Sequence, residues 1–292
     1  MISEILHKDI LAAVIVLYNP DDSTVGNIAS YIDHVSHLYV IDNTEKPSED
    51  LTKAILQLST NITYYPLGGN LGIATALNKG SELAYNNGYK WALTMDQDSC
   101  FENGDFFSGV FGKAYNDVAI IAASYNAIHF MPRKSPYTDL TEVSFVITSG
   151  NILNLDAWKL LGGFCDKMFI DEVDNEFCIR AANSGFKILT TNRIYLRHKL
   201  GESFKVKHFI TGRELVLTRH SPVRVYYTTR NNLFIWRRLL FSNTRFVANR
   251  IRNVLTLIFK VAVYFPDKKT YFKYIRKAIV HSLKGRYGKF AG

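Results

Sequence analysis

Asp96 and Asp98 flank Gln97 directly after the apolar run Trp91-Ala92-Leu93-Thr94-Met95. At the carboxyl end of a β-strand side-chain direction repeats every two residues, so a D-x-D is expected to send both carboxylates to one side. Paired hard oxygen donors suit a divalent cation that completes its shell on substrate phosphates. A second acidic group, Asp171, Glu172, Asp174 and Glu176, lies ahead of a helical pattern running from Phe177 to Asn183. Capping and the helix macrodipole favour acids at such a place, which explains Asp171 and Glu172 as readily as a catalytic role does. For Asp174 the same dipole keeps the carboxylate ionised and ready to accept a proton from an attacking hydroxyl. His198 is a further candidate, because an imidazole beside a carboxylate-bound metal shifts preference from Mg2+ towards Mn2+.

These residues need a scaffold, and the first hundred residues supply one. Leu11 to Leu17 is a continuous apolar run, the pattern of a parallel-sheet strand covered on both faces. A helix over Ser23 to His34 follows, then a strand Leu38 to Ile41 ending at Asp42-Asn43, a helix around Glu49 to Leu58 and a strand Ile62 to Tyr65. Pro66-Leu67-Gly68-Gly69-Asn70-Leu71-Gly72 is a glycine-rich loop that opens a helix from Ile73 to Asn86. This alternation with short connections predicts an α/β domain with a mostly parallel central sheet flanked by helices. Ligands of such sheets bind outside the carboxyl ends of the strands. Asn19, Asp42, Asn70, Asp96 and Asp98 all fall on that edge, which reads as a nucleotide site. Later strands are expected at Ala119 to Ser124, Glu142 to Thr148 and Lys187 to Thr191, with a turn at Ser149-Gly150-Asn151.

At 292 residues and 47% apolar content the chain is globular rather than disordered. Its three cysteines (Cys100, Cys165, Cys178) lack metal-ligand spacing and fit a reducing compartment. The start mixes Glu4, His7, Lys8 and Asp9 among apolar residues, so no signal peptide is expected. The nearest candidate, Val254 to Phe265, is interrupted by Lys260 and falls short of the roughly 20 residues a membrane span needs. Charge divides the chain unevenly. Residues 193–292 hold 23 Lys and Arg against three acids, a net of +20, whereas residues 1–192 hold 12 against 23, a net of −11. The basic half should face something anionic. Thr244 to Phe265 sets Ile251, Val254, Leu255, Ile258, Val261, Ala262 and Phe265 at helical spacing among Arg245, Arg250, Arg252 and Lys260, as in basic helices that lie in a membrane interface.

The order of these motifs resembles family 2 glycosyltransferases of GT-A fold. The resemblance rests on Tyr18-Asn19-Pro20, Val40-Ile41-Asp42-Asn43, the Gly69 to Gly80 segment, Asp96-Gln97-Asp98 and Phe169 to Ala181. Thr148-Ser149-Gly150-Asn151, His198-Lys199-Leu200-Gly201 and Tyr226-Tyr227-Thr228-Thr229-Arg230-Asn231 are similar to the bacterial rhamnosyltransferase branch. It covers about residues 11 to 240. It implies a catalytic domain over 1–220, with a nucleotide-binding half (1–100) and an acceptor-binding half (101–220), followed by a basic helical region over 221–292. It further implies that Asp42 contacts the nucleobase, that Asn70 helps hold the nucleotide and that Asp98 is the direct ligand of Mn2+ or Mg2+ on the diphosphate. Asp174 takes the general-base position, with Asp171 and Glu176 as possible sharers of it, and His198 takes that of a metal-contacting histidine. Where the family has two adjacent acids this chain has Val173-Asp174.

The expected activity is metal-dependent, inverting transfer of a sugar, rhamnose from dTDP-rhamnose, onto a hydroxyl of a growing surface polysaccharide or lipid-linked glycan. A UDP-sugar donor (galactose, galactofuranose or GlcNAc) is the alternative within the fold. An anionic membrane surface is the expected partner of the basic half, with the protein in the cytoplasm at the inner face of the membrane. A nucleic-acid-binding protein, with Tyr226, Tyr227, Phe234 and Trp236 stacking among arginines, is the alternative of another class, and no nucleic acid is expected.

Overall fold

Every residue of strand β1 (Leu11–Leu17) is buried, and the strand is paired on both sides. In the computed structural model, which describes residues 4–102, 104–125, 140–198, 203–207, 209–239 and 244–291, β1 lies inside a nine-stranded sheet. Its parallel neighbours are β2 (His37–Asp42) and β4 (Trp91–Asp96), and β2 in turn pairs in parallel with β3 (Ile62–Pro66). The register sets Leu17 opposite Asp42, Asp42 opposite Pro66 and Val16 opposite Asp96, so the four carboxyl ends finish level with one another.

The connecting helices are α1 (Ser23–Ala29), α2 (Glu49–Leu56) and α3 (Ile73–Asn86). α1 is shorter than the expected Ser23 to His34: the Ser30 hydroxyl donates to the Asn27 carbonyl, the helix stops, and a separate 3-10 turn covers Ile32–His34. α2 is capped by the Ser48 hydroxyl, which accepts from the Leu51 N–H. α3 packs on β1 and β2 through small residues, Ala74, Ala76, Gly80, Ser81 and Ala84. Gly80 is required there, because a Cβ on it would stand 2.2 Å from Cγ1 of Val14.

Beyond β4 the sheet is mixed rather than parallel. After β5 (Ser99–Phe101), α4 (Asp105–Val110), β6 (Val118–Tyr125) and β7 (Leu140–Glu142) comes β8 (Asn151–Asn154), which pairs antiparallel to both β4 and β6. The helices α5 (Leu155–Leu160) and α6 (Val173–Asn183) precede β9 (Lys187–His198), which runs parallel to β6 and antiparallel to β5 and β7. Of the expected strand over Glu142 to Thr148 only Glu142 is in a strand, as the last residue of β7, and the Val143 N–H still donates to the Ile188 carbonyl of β9. At its far end side chains take up two carbonyls: Thr94 Oγ1 donates to Thr148 and Asn151 Nδ2 to Ile147.

The chain divides into two units. The first comprises 1–166 and 173–199, the second 167–172 and 200–292, so the boundary expected at 220 lies within the second. The second unit consists of a hairpin, β10 (Ser203–Lys207) and β11 (Glu214–Thr218), and helices α7 (Pro222–Leu239), α8 (Thr244–Tyr264) and α9 (Lys268–Leu283). Val225, Val261, Phe265, Tyr271 and Ile275 form one of its cores. No described helix is long and apolar enough to cross a membrane.

Gly80→Ala should destabilise the protein by about 1–3 kcal/mol through overpacking against Val14, despite the better helix propensity of alanine. A lower urea midpoint at unchanged m-value is the expected reading, and an unchanged midpoint would mean that α3 has room to shift.

Candidate active site

The D-x-D is held by the residue between its aspartates. Asp96 closes β4, while Gln97 and Asp98 form a turn before β5. Strand alternation therefore does not set the direction of Asp98, contrary to expectation. The turn is fastened by Gln97 instead. Its Oε1 accepts from the Tyr18 N–H at 2.7 Å, its Nε2 donates to the Tyr18 carbonyl at 3.1 Å, and its own carbonyl accepts from Asn27 Nδ2 at 2.8 Å. These bonds tie the end of β1 to the end of β4. From the other side the Ser149 hydroxyl accepts from the Asp96 N–H at 3.0 Å, which gives Thr148-Ser149-Gly150-Asn151 its place behind the strand end.

Among the described residues no three His, Cys, Asp or Glu gather to hold a metal by themselves. The two carboxylates of Asp96 and Asp98 fit the other mode, in which Mg2+ or Mn2+ takes one or two carboxylates and completes its shell from phosphates and water. The backbone of His198 lies opposite Ser99 in the β5–β9 ladder, one residue past Asp98. The side chain of His198 lies outside the described residues.

Asn19 follows β1 with φ of +46°, and its N–H donates to Thr44 Oγ1 at 2.9 Å. Asp42 is buried; Oδ1 accepts from the Thr44 N–H at 2.9 Å and Oδ2 from the Tyr64 hydroxyl at 2.7 Å. Burial first, and the bond to Asp42 second, push the Tyr64 hydroxyl up to about 12, so it stays a donor to the carboxylate. Asn43, which in the sequence is only part of the Val40 to Asn43 motif, braces the glycine loop: its Oδ1 accepts from the Leu71 N–H at 2.7 Å and its Nδ2 lies 3.3 Å from Asn70 Oδ1. Asn70 Oδ1 also accepts from the Gly72 N–H at 3.1 Å, an Asx-type turn that leads into α3.

Asp174 sits in the first turn of α6, and its Oδ1 accepts from the Asn175 N–H at 2.8 Å. It lines a cavity together with Thr94, Thr148, Asn151, Phe164 and Phe177. Thr94 precedes Asp96 by two residues on β4, so Asp174 is brought to the strand end that carries the D-x-D. Glu176 is engaged by Arg180. It is buried and forked by Arg180 (Nε at 2.8 Å, Nη2 at 2.7 Å), while the same guanidinium donates to the carbonyls of Leu161 and Gly163. Asn78 completes this anchorage. Its Oδ1 accepts from the Phe164 N–H and Trp158 Nε1, and its Nδ2 donates to the Phe164 carbonyl and Asp166 Oδ1, which uses the full capacity of the amide.

The remaining acids belong to the second unit, within the segment 167–172 that leads to α6. Phe169, Asp171 and Glu172 there all have positive φ. Helix α7 holds these unfavourable conformations in place. Asn231 Nδ2 reaches the carbonyls of Met168, Ile170 and Asp171 at 2.9, 2.7 and 2.9 Å, and the buried Arg230 donates to those of Lys167, Met168 and Gly288. Asp171 accepts from Arg224 and Thr228, and Glu172 accepts from Arg250 and Asn232. Asp171 and Glu172 are thus ion-paired, and the Tyr226 to Asn231 motif supplies the buried clamp.

Comparison with known proteins finds that residues 13–177 match the family model of glycosyl transferase family 2. The dTDP-rhamnosyl transferase RfbF of Shigella flexneri is 27% identical over 302 aligned positions, covering 96% of each chain. Among solved structures, GalNAc-T7 with UDP, GalNAc and Mn2+ superposes with a TM-score of 0.61 at 12% identity, over 97% of this chain and 58% of that one. S. aureus TarS superposes with a TM-score of 0.54 at 12% identity, over 95% of this chain and 50% of that one. The chain thus spans little more than half of these two structures, which share its GT-A fold.

Asn78→Leu should leave the buried donors at Phe164 and Trp158 unpaired, costing about 1–3 kcal/mol for each. Chemical denaturation of the variant checks this, and a stability equal to that of the parent would show that the loop repacks freely.

Proposed function

Since this chain belongs to glycosyl transferase family 2 and is a glycosyltransferase, we propose that it moves one sugar from a nucleoside-diphosphate donor to an acceptor hydroxyl in a single inverting displacement. The observation that carries the reading is the cavity shared by Asp174 and Thr94, which sets a carboxylate beside the strand end that bears the D-x-D. In this reading Asp42 meets the nucleobase with the lone pairs that Thr44 and Tyr64 leave over. Asn19 and the loop braced by Asn43 and Asn70 border the nucleotide on the same sheet edge. Asp96 and Asp98 would hold the divalent cation, with His198 as the further ligand that the family resemblance implies. When bound, Mn2+ or Mg2+ neutralises the charge that develops on the departing diphosphate.

Asp174 accepts the proton of the attacking hydroxyl, which enters opposite the leaving group. Glu176 is committed to Arg180 and Asp171 to Arg224, so neither shares that work. Similarity to dTDP-rhamnosyl transferase RfbF supports dTDP-rhamnose as the donor, and a hydroxyl of a growing surface polysaccharide or lipid-linked glycan is the matching acceptor.

Asp174→Asn is expected to lower transfer by about a hundredfold or more, the range of general-base catalysis, with donor binding kept. Undiminished transfer would remove Asp174 from the base position. Asp98→Ala should abolish the Mn2+-dependent part of donor binding in calorimetry, and a gain from Mn2+ equal to the parent's would move the metal elsewhere. A thermal-shift panel of dTDP-rhamnose, UDP-galactose, UDP-GlcNAc and GDP-mannose with Mn2+ should respond most strongly to dTDP-rhamnose. A UDP-sugar giving the largest shift would replace the rhamnosyl assignment.

A further inference from the structure

Helix α8 carries apolar residues in two adjacent rows about a quarter-turn apart. Val247, Val254 and Val261 recur every seven residues and are buried, and Val261 sits in the core with Val225, Phe265, Tyr271 and Ile275. The expected apolar stripe placed Leu255 and Ala262 on that same side, yet both are exposed. With Ala248 and Phe259 they form a second row on the outer face. Leu255 is 60% and Phe259 46% exposed. The apolar sector of α8 is therefore wider than the side its own core covers, and an exposed apolar row of this kind marks a contact surface.

The connection between β10 and β11 extends this row. Phe209 and Ile210 are 56% and 75% exposed. The Phe209 ring lies 5.6 Å from that of Phe259, and its N–H donates to the Tyr264 hydroxyl at 3.4 Å. Two elements of the second unit thus join in one exposed apolar patch, Phe209, Ile210, Leu255 and Phe259. Its surroundings are mostly basic, and the nearest acid, Glu214 opposite Lys207, is ion-paired with Lys205. Lys207 and Arg213 are exposed on either side of the hairpin connection, Arg252 is exposed on the outer row of α8 itself, and residues 215–266 contain no acid.

We infer that this patch docks on an anionic lipid surface, with Phe209, Ile210, Leu255 and Phe259 entering the headgroup boundary and Lys207, Arg213 and Arg252 meeting lipid phosphates. Charge selects this occupant. A second copy of the chain would bring an equally basic face against this one, and a nucleic acid would leave the aliphatic side chains in water. The inference rests on the surface of the second unit and not on the transferase reading, and its test needs no nucleotide sugar.

The test is co-sedimentation of the full chain with vesicles of phosphatidylcholine alone or with 30% phosphatidylglycerol. Binding is expected only to the anionic vesicles, and it should be lost in 1 M NaCl, where the screening length falls to about 3 Å. Leu255→Ser/Phe259→Ser alters exposed positions only. It should keep the parent's melting temperature while weakening vesicle binding by about tenfold or more. Lys207→Ser/Arg252→Ser should weaken it in the same sense. Equal binding to both vesicle types, or full binding by the Leu255→Ser/Phe259→Ser variant, would overturn the proposal. So would a dimer in light scattering that this variant dissociates, or an oligonucleotide that competes for the patch and binds more tightly than the vesicles.

Discussion

The parallel register of four strands is the constraint on which the rest of this structure depends. β1 is buried along its whole length and paired on both sides, so it cannot slip by one residue without losing the rows it forms with β2 and β4. Because that register is fixed, Leu17, Asp42, Pro66 and Asp96 end at one level. Asn19, Asp42, the Asn70 loop and the D-x-D become neighbours as a consequence. The close approach of α3 at Gly80 belongs to the same constraint, since α3 reaches β1 only where no side chain intervenes.

Polar side chains then stiffen the edge that the register creates. Gln97 fastens the D-x-D turn to Tyr18, Ser149 holds the N–H of Asp96, and Asn43 braces the glycine loop. Behind Asp174, Asn78 and the Glu176–Arg180 pair secure the turns that precede α6. These groups are half-buried or buried and hydrogen-bonded, the condition under which polar networks add rigidity instead of cost. The strand-end and α6 carboxylates are therefore set within a frame of hydrogen-bonded neighbours.

The second unit combines two physical tasks. Its inner side spends Arg224, Arg230, Asn231 and Arg250 on the segment 167–172, where three residues in left-handed conformation would otherwise be costly. Lys207, Arg213 and Arg252 are exposed beside the outer row of α8. The +20 charge of residues 193–292 is thus partly internal structure and partly surface.

Local pattern alone determined the strands from Leu11 to Asp96, the glycine loop, the limits of α3 and the α/β class, because each rests on a run or period within its own segment. It also singled out Asp42, Asp98 and Asp174 as acids at strand and helix ends. Only the tertiary structure decided that Asp98 lies in a turn directed by Gln97, since a side chain reaching 79 residues back to Tyr18 leaves no mark in local spacing. The same holds for the strand expected over Glu142 to Thr148, which ends at Glu142 and whose Ile147 and Thr148 carbonyls accept from side chains of β8 and β4. Glu176 and Asp174 look alike in sequence, and burial against Arg180 separated them. Helical periodicity showed that α8 was apolar and basic, but which of its two apolar rows faces inward was set by the core of α7 and α9 against which it packs.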